Sequence, residues 1–245
     1  MSPQRSDSLR TQAVLISTAE QLFSDRGIEG VSLSEINRAA GQRNKSALHY
    51  HFGSRDGLLK ALLEKHRTQL DAERSKLLAG YGDAELTLHD AVSVMVRPLA
   101  ERVDDRENGG VHYIRIMAQL SANPQHPLNS WLFNELPPAF AAIAPTLYRH
   151  IPRAPTLLRM RRAQLMNGTM FHALLLQTYA PTGEDGAADR RVLYTNDLID
   201  CICGLLSAPV SDVSNAAIDE LMRDGSAERA GDDRIPRFGP IPPKW

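Results

Sequence analysis

The stretch Gly41-Gln42-Arg43-Asn44-Lys45-Ser46-Ala47-Leu48-His49-Tyr50-His51-Phe52 constrains the chain more than any other, because it gathers many donors onto one short predicted helix. Asn44 is a good N-cap ahead of Lys45, and the helix it opens is expected to run to about His51, where Gly53 and Ser54 break the pattern. Ala47 and Leu48 are its apolar anchors, and around them stand Arg43, Lys45, Ser46, His49, Tyr50 and His51. Charge, hydroxyls and imidazoles with few bulky aliphatics suit a surface laid against phosphates and base edges. A helix this short needs support, and the support lies just upstream. Ser32 and Glu35 have the spacing of a capping box, Leu33, Ile36, Ala39 and Ala40 follow at helical spacing, and Gly41 stops the run. Two short helices joined at a glycine make a helix-turn-helix.

The order of these features resembles the tetracycline-repressor (TetR/AcrR) family over about residues 8 to 66: a helix ending at Gly27, the capped helix ending Ala40-Gly41, then Leu48-His49-Tyr50-His51-Phe52-Gly53-Ser54-Arg55. Two details depart from the commonest family pattern, a turn one residue longer between Gly41 and Phe52 and His49 where a Tyr is usual. The resemblance implies an all-α fold, with an N-terminal three-helix helix-turn-helix domain followed by a larger helical ligand-binding and dimerisation domain. It also implies a cytoplasmic transcriptional regulator, most often a repressor. The partners implied are double-stranded operator DNA, a second copy of the chain and a small-molecule effector whose identity is not legible.

Placing the helix N-terminal end in the groove divides the roles. Lys45, His49, Tyr50, His51 and Arg55 are expected on phosphates, and Arg43, Asn44 and Ser46 on base edges. Charge agrees in sign: through Arg67 there are ten Lys and Arg against seven Asp and Glu, while the whole chain is at −1.

Residues 1–6 read as a flexible basic arm. A first helix from Asp7 or Ser8 to Gly27 carries Ile16, Ala19, Leu22 and Phe23 on one face. Ser54 restarts a helix through Leu58, Leu59, Leu62, Leu63, His66, Leu70 and Leu77 to a stop near Gly80, roughly 35 Å long at 1.5 Å per residue. The divisions expected are therefore 1–54 for the DNA-binding domain with its arm, 55–80 for the connecting helix, 81–223 for the helical domain and 224–245 for a Pro-rich tail.

Beyond Leu86 the chain is a series of helical patterns without an alternating strand. Thr87 to Val103 is interrupted by Pro98, Asp104 to Gly110 reads as a linker, and Pro124, Pro127, Pro137, Pro138, Pro145, Pro152 and Pro155 break up the middle. Broken helices tend to leave gaps. Tyr113, Met117, Trp131, Phe133, Phe140, Met166, Asn167, Met170 and Phe171 are the residues expected around an apolar effector, although each taken singly is more often plain core. Tyr148, His112 and His172 belong to the same mixture.

Thr156 to Tyr179 and Val192 to Leu206 are apolar on more than one side. One side can face the core of the subunit and the other needs a partner. By resemblance these segments, near 156–179 and 192–208, form the homodimer interface. Ser211 to Arg223 reads as a final amphipathic helix.

Catalysis and cofactors find no support. His49 and His51 diverge on a helix and lack a carboxylate cluster, so no metal is expected. Gly27-x-x-Gly30 precedes no phosphate-binding pattern. Cys201 and Cys203 are expected as buried, inert thiols. No apolar run reaches the length of a membrane span, so no membrane partner is expected. A different class remains open, an all-helical protein-interaction module whose basic N-terminus meets an acidic partner, and so does a DNA-binding regulator without an effector.

Overall fold

The structure, a computed structural model, describes residues 3–42, 47–123, 125–151, 156–179 and 187–223. The described residues form helices joined by turns, with no strand among them. The order of helices follows the expected one, and the differences lie at their ends.

Helix α1 runs Pro3–Arg26. It reaches back into the segment expected as an arm because a proline fits the first helical position, where its missing N–H would have no partner anyway. Leu15, Ala19 and Phe23 are fully buried at the centre of its inner face, with Ile16 and Leu22 on the flanks. Helix α2, Leu33–Ala39, starts from the expected capping box: the Glu35 N–H donates to Ser32 Oγ at 3.3 Å and the Ser32 N–H donates to Glu35 Oε2 at 2.9 Å. The Ser32 N–H and the Ser32 hydroxyl, which donates to Glu35 Oε2 at 2.7 Å, hold the Glu35 carboxyl down to about 2, with the Arg26 guanidinium 2.9 Å away. Helix α3 is Ala47–Phe52 and α4 is Arg55–Tyr81, so α4 spans about 40 Å at 1.5 Å per residue.

Helix α5, Leu88–Ala100, opens with a second capping box, Thr87 and Asp90, and passes at Pro98 into the 3-10 turn Glu101–Val103. Proline cannot supply the N–H that would continue the α ladder, which accounts for the tightening there. Helices α6, Gly110–Ala122, α7, Pro127–Asn134, and α8, Pro138–Arg149, follow, with prolines opening the last two. Helix α9, Thr156–Gln177, packs on α6, and α10, Ala187–Ser207, packs on α5 and α9. Helix α11, Asp212–Arg223, closes the described chain. No single described helix is long and apolar enough to cross a membrane.

One apolar core runs without a break from α1–α4 into α5, α6 and α9. The seam between its two parts is polar. Glu20 of α1, 2% exposed, accepts from Lys65 Nζ at 2.9 and 3.0 Å and from His66 Nε2 at 2.8 Å, both on α4. Gly109, at φ +84°, stands so close that a Cβ there would lie 2.6 Å from Glu20 Oε2, so only glycine lets the turn before α6 close over this carboxylate. Gln119 of α6 makes a second tie, donating to the Phe23 carbonyl at 3.0 Å and accepting from the Ile28 N–H at 2.9 Å.

His66 is fully buried, and loss of hydration pushes its pKa below the usual histidine value, against the opposing pull of Glu20. An unfolded chain therefore binds a proton that the folded one refuses, so the contribution of His66 is fully present above about pH 6.5. It is lost as pH falls from there toward the lower folded value. Urea unfolding at pH 7.5 and 5.5 should show lower stability at 5.5, and His66→Gln, which can still donate to Glu20, should flatten part of that difference; the half-buried His112, shifted the same way, supplies another part.

Candidate nucleic-acid interface

Six residues cannot hold a helix by themselves. Leu48, 1% exposed, anchors α3 on the core, and Phe52 one turn later packs against its edge. Gly53, at φ +72°, ends the helix, and its N–H donates to the His49 carbonyl at 3.0 Å. Ser54 then caps α4, its Oγ accepting from the Gly57 N–H at 3.0 Å. Gly57 itself was not legible as a site residue. A Cβ there would stand 2.0 Å from the Phe52 carbonyl oxygen, so the first turn of α4 rides directly on the end of α3. The only sequence signal is a glycine in the first turn of an otherwise good helix.

Of the residues expected on DNA, Arg43, Asn44, Lys45 and Ser46 lie outside the described residues. The four others do not share one orientation. Tyr50 is 83% exposed and points away from the body, its ring edge-on to His51 at 5.0 Å. His49 is exposed, with its Nδ1 2.9 Å from the Gly53 carbonyl, which fixes the ring against the end of α3. His51 turns inward, half-buried, and Gln12 Nε2 of α1 donates to its Nδ1 at 3.3 Å. Arg55 stands at the N-terminal end of α4 but is paired with Glu29 at 3.0 Å, a partner that the sequence did not single out. The pair sits in solvent and is a weak tie, so a phosphate can compete for this guanidinium. Between α1, α3 and α4 lies an open groove of about 440 Å³, bordered by Gln12, Ile16, His51, Phe52, Lys60 and Ala61.

The residues expected around an effector separate into two groups. Tyr113 and Met117 of α6 and Met166, Met170 and Phe171 of α9 are buried in the common core, with the Tyr113 and Phe171 rings 6.5 Å apart and edge-on. Burial also raises the Tyr113 phenol above its usual pKa. Asn167 is half-buried on α9, and the Phe133 side chain lies outside the described residues. Trp131 and Phe140 belong to the other side of the domain, facing α4: the Lys60 Nζ and the Arg67 guanidinium stand 4.8 and 4.2 Å from the Trp131 ring centre, and Arg74 stands 5.8 Å from that of Phe140. A groove of about 410 Å³ runs along this side between α4 and the start of α8. Aromatic residues thus mark both places, and sequence spacing could not tell one from the other.

Among the described residues no three His, Cys, Asp or Glu come together in a way that could hold a metal ion. Cys201 is exposed, contrary to the expectation of a buried thiol, because its position on α10 faces away from the core; Cys203 is half-buried and its thiol pKa is raised by that burial.

A small helix carried on a capped partner, with its outer side open, defines a DNA-binding regulator of the helix-turn-helix class. The sequence profile of bacterial regulatory proteins of the tetR family matches residues 15–62, and that of the tetracyclin repressor-like C-terminal domain matches residues 93–204. The chain belongs to the TetR family of transcriptional regulators. Solved structures described as TetR-family transcriptional regulators are similar to it. One from Mesorhizobium loti is 14% identical, covering 81% of this chain and 97% of its own, with a TM-score of 0.48. One from Rhodococcus is 18% identical, with 80% and 98% covered and a TM-score of 0.42. One from Pectobacterium atrosepticum is 23% identical, with 84% and 98% covered and a TM-score of 0.37. No curated protein matches the sequence.

Gly57→Ala should force α3 and α4 apart and destabilise the N-terminal helices by about 1–3 kcal/mol, the range for a side chain with no room. Urea unfolding read by circular dichroism checks it; an unchanged midpoint would mean that the junction yields more easily than its geometry implies.

Proposed function

We propose that the chain is a dimeric repressor, released from a palindromic operator by a small effector. The observation that carries the reading is the pairing of two exposed features that a self-contained monomer has no use for. Tyr50 stands 83% exposed on the outer side of α3. Leu165, Leu176 and Tyr179 on α9 and its end, with Val192, Leu193 and Tyr194 on α10, are each between 49% and 72% exposed. Apolar area of this kind on adjoining helices marks an interaction surface. A second copy of the chain, offering the same two helices, covers it in a two-fold arrangement.

Dimerisation and DNA reading support each other. One six-residue helix makes few contacts, whereas two of them set about 34 Å apart reach successive major grooves. Tyr50 and His49 then meet the backbone, Arg55 exchanges Glu29 for a phosphate, and His51 steadies α3 through Gln12. Arg43, Asn44, Lys45 and Ser46, which lie outside the described residues, are kept as base-edge and phosphate contacts. An effector in the helical domain acts by favouring a spacing of the two reading helices that no longer fits the operator. A protein with this task works in the cytoplasm, beside the DNA.

The test is footprinting of the purified protein on its own upstream DNA across a salt titration. A protected palindrome whose affinity falls steeply with salt is expected; protection without two-fold symmetry would sink the dimeric reading. Tyr50→Ala should weaken operator binding while leaving stability within about 0.5 kcal/mol, as for other exposed positions. Leu176→Glu should give monomers in sedimentation and lose the palindromic footprint.

A further inference from the structure

Helix α11 is the described element that the fold accounts for least. It follows the stretch matched by the family's C-terminal domain, which ends at residue 204. Its start is well made: the Asn215 N–H donates to the Ser211 carbonyl at 2.8 Å, and the Ser214 N–H donates to Ser211 Oγ at 3.3 Å. Its body is not packed. Residues 211–217 are all exposed, Ile218 is half-buried, and no described residue of α11 belongs to the apolar core.

Sequence spacing makes this exposure costly. On a helix the positions of Val213, Ala217, Ile218 and Leu221 share one side, and those of Asp212, Asn215, Asp219 and Arg223 share the other. Val213 is 82% exposed, so the apolar side meets water from its first turn. A helix of 12 residues is at the lower limit of what persists in water by itself, roughly 12–15 residues. One so short and so clearly two-sided needs a surface to lie on.

The helix from which it grows does not supply that surface. Ala208-Pro209-Val210-Ser211 joins α10 to α11, and the two axes bend by 50°. A bend that small sends α11 onward past the end of α10 instead of back along it. Its charges narrow the choice of partner. Asp212, Asp219 and Glu220 stand against Arg223, whereas a membrane surface selects a basic polar side and DNA phosphates select cations. The exposed apolar side of α9 begins close by. Arg162 Nη1 donates to the Leu206 carbonyl at 2.9 Å, which sets the start of α9 beside the end of α10, and Leu165, one turn on, is 59% exposed.

We propose that α11 is an arm that lies on the α9–α10 surface of a second copy of the chain, with Val213 and Ile218 against the apolar side chains there. Two such arms are exchanged across the two-fold axis. At 1.5 Å per residue α11 is about 18 Å long, so each arm extends the contact well beyond the end of α10. The inference rests on the dimeric reading above and adds to it a part of the interface outside the two long helices.

The test is amide exchange of the full-length protein, read by mass spectrometry above and below the dimer dissociation constant found by sedimentation. The amides of α11 should be protected at the higher concentration and exchange freely at the lower one. Val213→Glu combined with Ile218→Glu should raise the dissociation constant about tenfold or more and leave α11 unprotected at both concentrations. Asp219→Lys, on the opposite side of the helix, should do neither. Protection of α11 at every concentration would place it on its own chain and overturn the proposal. So would an α11 that exchanges freely within a dimer, a result that leaves the dimeric reading intact. A protein that sediments as a monomer at all concentrations removes that reading and the arm with it. Protection that comes with phosphatidylglycerol vesicles and not with protein concentration assigns the apolar side to a membrane and likewise overturns the proposal.

Discussion

The carboxylate of Glu20 decides how the two parts of this molecule are joined. It belongs to α1, it is 2% exposed, and it takes hydrogen bonds from Lys65 and His66 on α4. Lys65 continues to the Asn108 carbonyl at 3.2 Å, and Gly109 closes the turn against the same carboxylate. One buried charge therefore fixes α1, α4 and the entry to α6 with respect to one another. Removing Lys65 or His66 leaves the Glu20 carboxylate short of a partner and out of water, which is far more destabilising than the small net worth of an exposed pair. The DNA-binding helices are consequently not hung on a linker. They are keyed into the second part of the chain.

From that key a stiff path leads both ways. His66 stacks on Tyr113 with ring centres 4.6 Å apart, and Tyr113 meets Phe171 of α9 edge-on. Toward DNA, α1 carries Gln12 to His51, and Gly57 seats α4 on the end of α3. Close packing and hydrogen bonds at each joint allow discrete rearrangement and little continuous yielding. A displacement of α6 has to be answered at Glu20 and at Gln119, because Gln119 holds both the Phe23 carbonyl and the Ile28 N–H. Those two atoms bracket the end of α1 and the approach to α2, so any such answer appears where the helix-turn-helix is held.

Legibility in the sequence followed the range of the physics. Local rules worked: Ser32 with Glu35, Ser54 as a cap, and the stops at Gly27, Gly41 and Gly53 all stand where short-range hydrogen bonding puts them. The helical order of the described residues was legible for the same reason, since periodicity and proline punctuation are local. Orientation was not. That His51 turns toward Gln12, 39 residues earlier, or that Arg55 pairs with Glu29, 26 residues earlier, depends on how α1 crosses α3 and α4. The apolar segment around Cys201 suggests burial on all sides, whereas the face that carries it is open. Arg74 was unremarked because a lone arginine on a long helix looks like solvent decoration until α5 and α8 are packed over it.

Most of the described surface and core obeys the rule that apolar groups are inside and charges outside or paired. Two of the exceptions are of opposite kind. On α9 and α10 apolar side chains stand in water, and along α4 cations stand out of it. The first is unfavourable for an isolated chain and is relieved by a similar surface, whereas the enclosed Arg74 guanidinium is met within the chain by the Met95 carbonyl and the Phe140 ring. Helix α6 packs against α9 on one side, and the turn before it meets Lys65 of α4 at the Asn108 carbonyl and Glu20 of α1 at Gly109. A change in what packs against α9 therefore acts on α6, and Gln119 of α6 holds the end of α1 and the approach to α2.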